Sequence, residues 1–330
     1  MPSGSYIFGC EGTYLTPQER RFFASTQPWG FILFARNVQT PDQLRTLTSD
    51  LRDAVGWRAP ILIDQEGGRV QRMRAPHWRE YLPALDQMEL ARDTERAMYL
   101  RNFLIAQELF EVGIDVNCAP VADIVFDQTH PVLRNRCYGA DVETVIQMCR
   151  AAAEGMMDAG VLPVLKHIPG YGRAVVDGHK ELPHVDVSRA ELDAVDFAPF
   201  KALSDLPMGM TAHIVFPCID DQPATTSAKA MEMIRRDIGF ANLIMTDDIS
   251  MEALSGTVAQ RARASLDAGC DIVLHCNGEM AEMQAVAEIC GLQTDEIGAR
   301  AAGALAARKA PQAIDIRALE AEFASLIQRA

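Results

Sequence analysis

The features this chain lacks narrow its class before any motif is considered. No stretch reaches the roughly eighteen consecutive apolar residues that a spanning helix needs, and the opening segment MPSGSYIFGCEGTYLT has neither a basic region nor a long apolar one. A cytoplasmic protein with no membrane partner is the expectation. A basic excess is also missing: 31 Lys and Arg stand against 45 Asp and Glu, a formal charge of −14. The summed field therefore repels a nucleic-acid backbone. Eight cysteines are present (Cys10, Cys118, Cys137, Cys149, Cys218, Cys270, Cys276 and Cys290), without CxxC or short Cys/His metal spacing. Reduced, mostly buried thiols are expected, and no metal. No linker rich in Ser, Pro or Gly and no low-complexity tract divides the 330 residues, so residues 1–330 are taken as one domain.

What is present is a regular alternation. Eight short apolar runs, SYIFGCEG, GFILFAR, PILIDQE, DVNCAPVAD, LPVLKH, MGMTAHIVF, NLIMTDD and DIVLHC, are each followed by a longer segment with apolar residues at helical spacing. Thr40 before Pro41, Ser188 and Ser227 have the chemistry of helix starts, and Gly160, Gly239 and Gly269 that of helix ends. Repeated βα units imply a parallel sheet, and eight in a chain of this length imply an α/β fold of the (β/α)8 TIM-barrel type. An open doubly wound sheet is the alternative, but no Gly-rich phosphate loop follows the first strand.

A barrel confines chemistry to the loops after the C-terminal ends of its strands. Charge emerges there from apolar runs: Asp64 and Glu66 in ILIDQE, followed by Arg69 and Arg72, then Lys166 and His167 in LPVLKH, and Asp247 and Asp248 in NLIMTDDIS. Arg136 lies between the fourth and fifth strands and His213 after the sixth. Glu66 or Asp248, taken singly, is read equally well as a cap or an arginine partner. Asp247 leaves the barrel interior directly after an apolar run, where a carboxylate is costly unless paired or used. Lys166 and His167 need acceptors, and Asp64 and a polyhydroxylated ligand are both candidates. The segment from Ile168 to His184 is polar and glycine-rich, as expected of a functional loop. Within it a turn at Gly178 would bring the carboxylate of Asp177 onto the imidazole of His179, leaving one ring nitrogen free for proton transfer; a solvated loop histidine is the alternative.

The motifs ILIDQEGGRVQR, LKHIPGYG followed by D-G-H, TAHIVFP with PATTS, and IMTDDISM together resemble the family 3 glycoside hydrolases, in particular the single-domain bacterial β-N-acetylglucosaminidases of peptidoglycan recycling. The resemblance runs from GFILFARN to AGCDIVLHCN. It implies that Asp247 is the nucleophile of a retaining mechanism, His179 the general acid/base and Asp177 its orienting partner. Asp64, Arg72, Arg136, Lys166 and His167 become the sugar-binding residues. It further implies a carbohydrate substrate, N-acetylglucosamine joined to 1,6-anhydro-N-acetylmuramic acid with or without peptide, and no cofactor. Two departures stand out: Tyr171 and Ile168 replace a histidine and an aromatic of the family's usual K-H-F-P-G-H-G, and Gly178 replaces the serine of D-S-H. Rival expectations are a phosphorylase of the same family, a Schiff-base lyase using Lys166, a metal-dependent hydrolase and a non-catalytic sugar-binding barrel.

Overall fold

In a computed structural model describing residues 3–178 and 181–327, the apolar runs form nine parallel segments: β1 (Gly4–Gly9), β2 (Pro28–Leu33), β3 (Ile61–Ile63), β4 (Val116–Asn117), β5 (Leu162–Pro163), β6 (Leu165–Ile168), β7 (Met208–Thr211), β8 (Leu243–Asp248) and β9 (Ile272–His275). Their order in the sheet is β5-β4-β3-β2-β1-β9-β8-β7-β6. The two outermost segments are one run of chain interrupted at Val164, whose amide donates to the carbonyls of Asn117 (3.1 Å) and Ala119 (2.8 Å). LPVLKH therefore closes the cylinder, pairing with β4 through its first half and with β7 through its second. The protein is a (β/α)8 TIM barrel, with the expected fifth strand in two pieces. DVNCAPVAD forms a ladder over only two residues, because Pro120 brings no N–H to the sheet.

Side chains of a strand alternate between its faces, and the two apolar clusters follow that rule. Ile7, Ile32, Leu62, Val164, Met210, Met245 and Leu274 fill the barrel interior. Phe8, Phe31, Leu33, Ile61, Ile63, Leu165, Ile244 and Val273 pack outward against the helices. The helix Asp295–Ala306 contributes Ala301 and Ala304 to the inner cluster. Its Arg300 donates to Asp271, just before β9, at 2.7 Å, so this helix closes the N-terminal end of the barrel.

The expected caps are present. The side chains of Thr40, Ser188 and Ser227 accept from the amides of Gln43, Glu191 and Ala230, and Gly239 and Gly269 end their helices at φ 82° and 112°, a left-handed conformation costly for other residues. One expected helix, SRAELDAVDFAPFKALSD, is instead two, Arg189–Ala194 and Ala198–Ala202. Pro199 lacks the N–H needed to continue the first, and Asp196 turns inward to accept from Arg173. The helix begun at Ser227 finishes in a π turn, Ile234–Ile238. The eight thiols are free, with six buried, Cys290 half-buried and Cys218 exposed. Among the described residues no helix is long and apolar enough to cross a membrane.

Candidate active site

The alternation that builds the core also aims the polar groups. Asp64 follows Leu62 by two residues, Lys166 follows Val164, and Asp247 follows Met245, so each continues the inward-facing row of its strand one step past the apolar filling. They open into a pocket of about 230 Å³ at the C-terminal mouth, lined among others by Phe34, Asp64, Arg69, Arg72, Arg136, Lys166, His167, Tyr171, Asp177, His213, Asp247, Asp248 and Met251. This is smaller than the 300–1,000 Å³ typical of sites for drug-sized ligands, and it suits a single ring.

One wall is a charged network. The Lys166 ammonium donates to Asp64 Oδ1 at 2.8 Å and lies 2.7 Å from Glu66 Oε1. Arg136 grips Glu66 through Nε and Nη2 at 2.9 and 2.8 Å, and Arg72 reaches Asp64 Oδ2 at 3.2 Å. Glu66 thus belongs to this network, pairing with an arginine instead of capping a helix. Burial works against each charge, and the partners outweigh it. Glu66 is brought down to about 2 by Arg136 and Lys166, Asp64 is held well below the usual carboxylate range by Lys166 and Arg72, and Lys166 is held protonated by both carboxylates. An amine so fixed is a poor Schiff-base nucleophile, which must be neutral to attack.

A carboxylate with a depressed pKa stabilises the fold above its unfolded value and loses that contribution as pH falls through the folded one. For Glu66 the window runs from about 4.5 down to about 2. Urea-unfolding midpoints should fall across that range, and Glu66→Gln should flatten that part of the profile at the cost of lower stability at neutral pH. An equally steep profile in the variant would show that the acid sensitivity arises elsewhere.

His167 faces the same pocket. Its Nδ1 donates to Asp123 Oδ2 at 2.7 Å, and Asp123 also accepts from the amide of Tyr171 at 2.7 Å. Asp123 is fully buried and leaves His167 Nε2 to the pocket, 3.5 Å from Arg136 Nη2. Asp123 is absent from the residues expected from sequence, although it too is an acid ending an apolar run, DVNCAPVAD; the strand-end rule applied there would have found it.

On the opposite wall stands Asp247. Its carboxylate accepts from the amide of Asp248 at 2.8 Å. Burial pushes its pKa up, and His167, His213, that amide and Lys166 together bring it below the ordinary value. Asp248 is a local tie, accepting from Ser250 Oγ at 2.6 Å and from the amide of Cys276 at 3.2 Å. His213, without a role from sequence, is buried with Nδ1 2.8 Å from Thr225 Oγ1 and Nε2 3.0 Å from the Asp248 carbonyl. Burial lowers its pKa and favours the neutral ring, so Nε2–H holds the backbone beside Asp247.

Asp177 and Gly178 also line the pocket, whereas His179 lies outside the described residues. The two departures in this loop are physically linked: a Cβ on Gly178 would come within 2.1 Å of the Tyr171 hydroxyl, so the tyrosine occupies the volume a serine at 178 would need. The ring of Tyr171 lies 5.8 Å from that of His167. Ile168 is fully buried in the outer core. Phe34, also unanticipated, has the guanidinium groups of Arg36 and Arg72 over its ring, 5.0 and 5.3 Å from the centroid.

Residues 16–301 match the glycosyl hydrolase family 3 N-terminal domain. A β-hexosaminidase of Alkalilimnicola ehrlichii is 39% identical over 287 residues, covering 84% of this chain and 82% of its own. One from Tolumonas auensis is 36% identical over 88% and 87%. The crystal structure of NagZ from Neisseria gonorrhoeae in complex with N-trifluoroacetyl-D-glucosamine superposes with a TM-score of 0.89 at 30% identity, over 100% of this chain and 99% of that one. With an acid-lined pocket at the mouth of the same barrel, the chain belongs to glycosyl hydrolase family 3 and is a glycosidase of the β-N-acetylhexosaminidase kind.

Proposed function

We propose that residues 1–330 act as one catalytic unit that removes terminal non-reducing N-acetylglucosamine from muropeptides, N-acetylglucosamine linked to 1,6-anhydro-N-acetylmuramic acid with or without peptide, during cytoplasmic peptidoglycan recycling. The observation that carries this reading is the half-buried Asp247 carboxylate, kept ionised without a salt bridge of its own among the described residues and facing a one-ring pocket. A carboxylate spent on structure is normally paired; this one is available to a substrate.

In the first step a carboxylate oxygen of Asp247 bonds to the anomeric carbon as the glycosidic C–O bond breaks, and His179 gives its proton to the departing oxygen. Asp177 orients that histidine. In the second step His179 takes a proton from water, the hydroxyl bonds to the anomeric carbon, and the Asp247 ester bond breaks, so configuration is retained. Asp64, Arg72, Arg136, Lys166 and His167 hold the sugar hydroxyls and acetamido group. Salt bridges running through Glu66 tie the first four together before a substrate arrives, which favours electrostatic preorganisation.

A fluorosugar that forms the glycosyl-enzyme quickly and releases it slowly tests this. The mass of one sugar should appear on the peptide containing Asp247, with inactivation of matching stoichiometry. A label on another carboxylate, or time-dependent formation of sugar 1-phosphate when phosphate is added to the unlabelled enzyme, would sink the hydrolase reading.

A further inference from the structure

The proposed substrate presents an acidic aglycone to a protein with a formal charge of −14, so any attraction must be local. Four cationic side chains of fixed charge line the pocket: Arg69, Arg72, Arg136 and Lys166. Three of them are committed to Asp64 and Glu66. Arg69 differs. Its Nη2 donates to the main-chain carbonyl of Val132 at 2.5 Å, and no carboxylate among the described residues forms a salt bridge with it.

The turn carrying Arg69 is built to hold it there. The amides of Glu66 and Gly67 both donate to the Val70 carbonyl, at 2.9 and 3.1 Å, and the amide of Val70 returns to Gly67 at 3.2 Å. Gly67 adopts φ 98°, and a Cβ there would sit 2.0 Å from Nη2 of the buried Arg101. That arginine in turn donates to the carbonyls of Glu66 (2.7 Å) and Leu82 (2.6 Å). The same turn points Glu66 into the charged wall and leaves Arg69 exposed while still lining the pocket. Partial burial and repulsion from Arg136 work against its charge, offset in part by Glu66 and Asp177; an anion beside it would relieve both penalties.

We propose that Arg69 is the specificity residue for an acidic aglycone, donating charge-assisted hydrogen bonds to a carboxylate on the sugar or peptide that leaves. This inference rests on the glycosidase reading above. A guanidinium held at one end and open at the other can take a carboxylate without first breaking an ion pair. Neutral aglycones gain nothing from it.

The test is a ratio. kcat/KM for N-acetylglucosaminyl-1,6-anhydro-N-acetylmuramic acid, divided by that for the uncharged N,N′-diacetylchitobiose, should fall roughly three- to tenfold in Arg69→Gln. Arg69→Lys should keep most of the ratio, and added salt should lower the wild-type ratio toward that of the glutamine variant by screening. A ratio unchanged in Arg69→Gln and insensitive to salt in the wild type overturns the assignment while leaving the glycosidase standing. Failure of the wild type to cleave either disaccharide overturns the proposed function itself. Should Arg69→Gln not fold, the wild-type salt dependence decides alone, since a preference that does not respond to salt is incompatible with an exposed ion pair.

Discussion

Asp247→Ala should abolish turnover of every substrate, with kcat lower by on the order of 10⁴-fold or more, while the protein stays folded. The carboxylate has no salt bridge to lose among the described residues; it accepts from the amide of Asp248, and removing a half-buried charge relieves part of its desolvation. Added azide should restore part of the activity by entering the vacated space and attacking the anomeric carbon directly, giving the glycosyl azide of inverted configuration. His179→Ala should behave differently. A general acid contributes about 10²–10⁴-fold where the leaving group needs a proton, so loss should be large with disaccharides and far smaller with activated aryl glycosides, whose phenolates leave unaided. Equal losses across leaving groups would remove His179 from that role, and an Asp247→Ala enzyme retaining a tenth of its activity would remove Asp247 from its own.

The second large effect is on the charged wall. In Lys166→Met the ammonium 2.8 Å from Asp64 and 2.7 Å from Glu66 is lost, and the buried Glu66 and half-buried Asp64 are left to Arg136 and Arg72. Removing one partner from a buried ionic network costs about 3–5 kcal/mol, a drop in melting midpoint of roughly 5–10 °C. Substrate binding should weaken in parallel, because the carboxylates that remain repel each other and take up a proton to relieve the repulsion. That proton fixes the sign of the pH dependence. Without Lys166 the folded-state pKa values of the pair rise, so the variant recovers stability relative to the wild type as pH falls through the carboxylate range. Calorimetry at pH 7 and pH 4 measures both; equal midpoints for variant and wild type at pH 7 would mean that the network does not bear on stability.

One strand-end rule succeeds and fails within the same barrel. Asp64, Lys166 and Asp247 were legible since each stands at an apolar strand's end, two residues beyond an inward-facing side chain, and alternation leaves no other direction. Helix starts at Thr40, Ser188 and Ser227 were legible because a capping hydroxyl is a local interaction. The break at Pro199 was equally local, but the apolar spacing on either side of it masked it. By contrast, Glu66 was ambiguous between cap and ion pair, since its partner Arg136 lies 70 residues away.

Sequence alone therefore determined the number and order of the βα units, the barrel they close and which acids face its mouth, all consequences of short-range periodicity. Tertiary structure alone decided who meets whom there: Asp123 behind His167, His213 holding the backbone beside Asp247, Tyr171 filling the space left by Gly178, and Arg69 bonded to the Val132 carbonyl with no salt bridge among the described residues. Those pairings depend on distances between loops from different strands, which closure of the cylinder sets and no local pattern encodes.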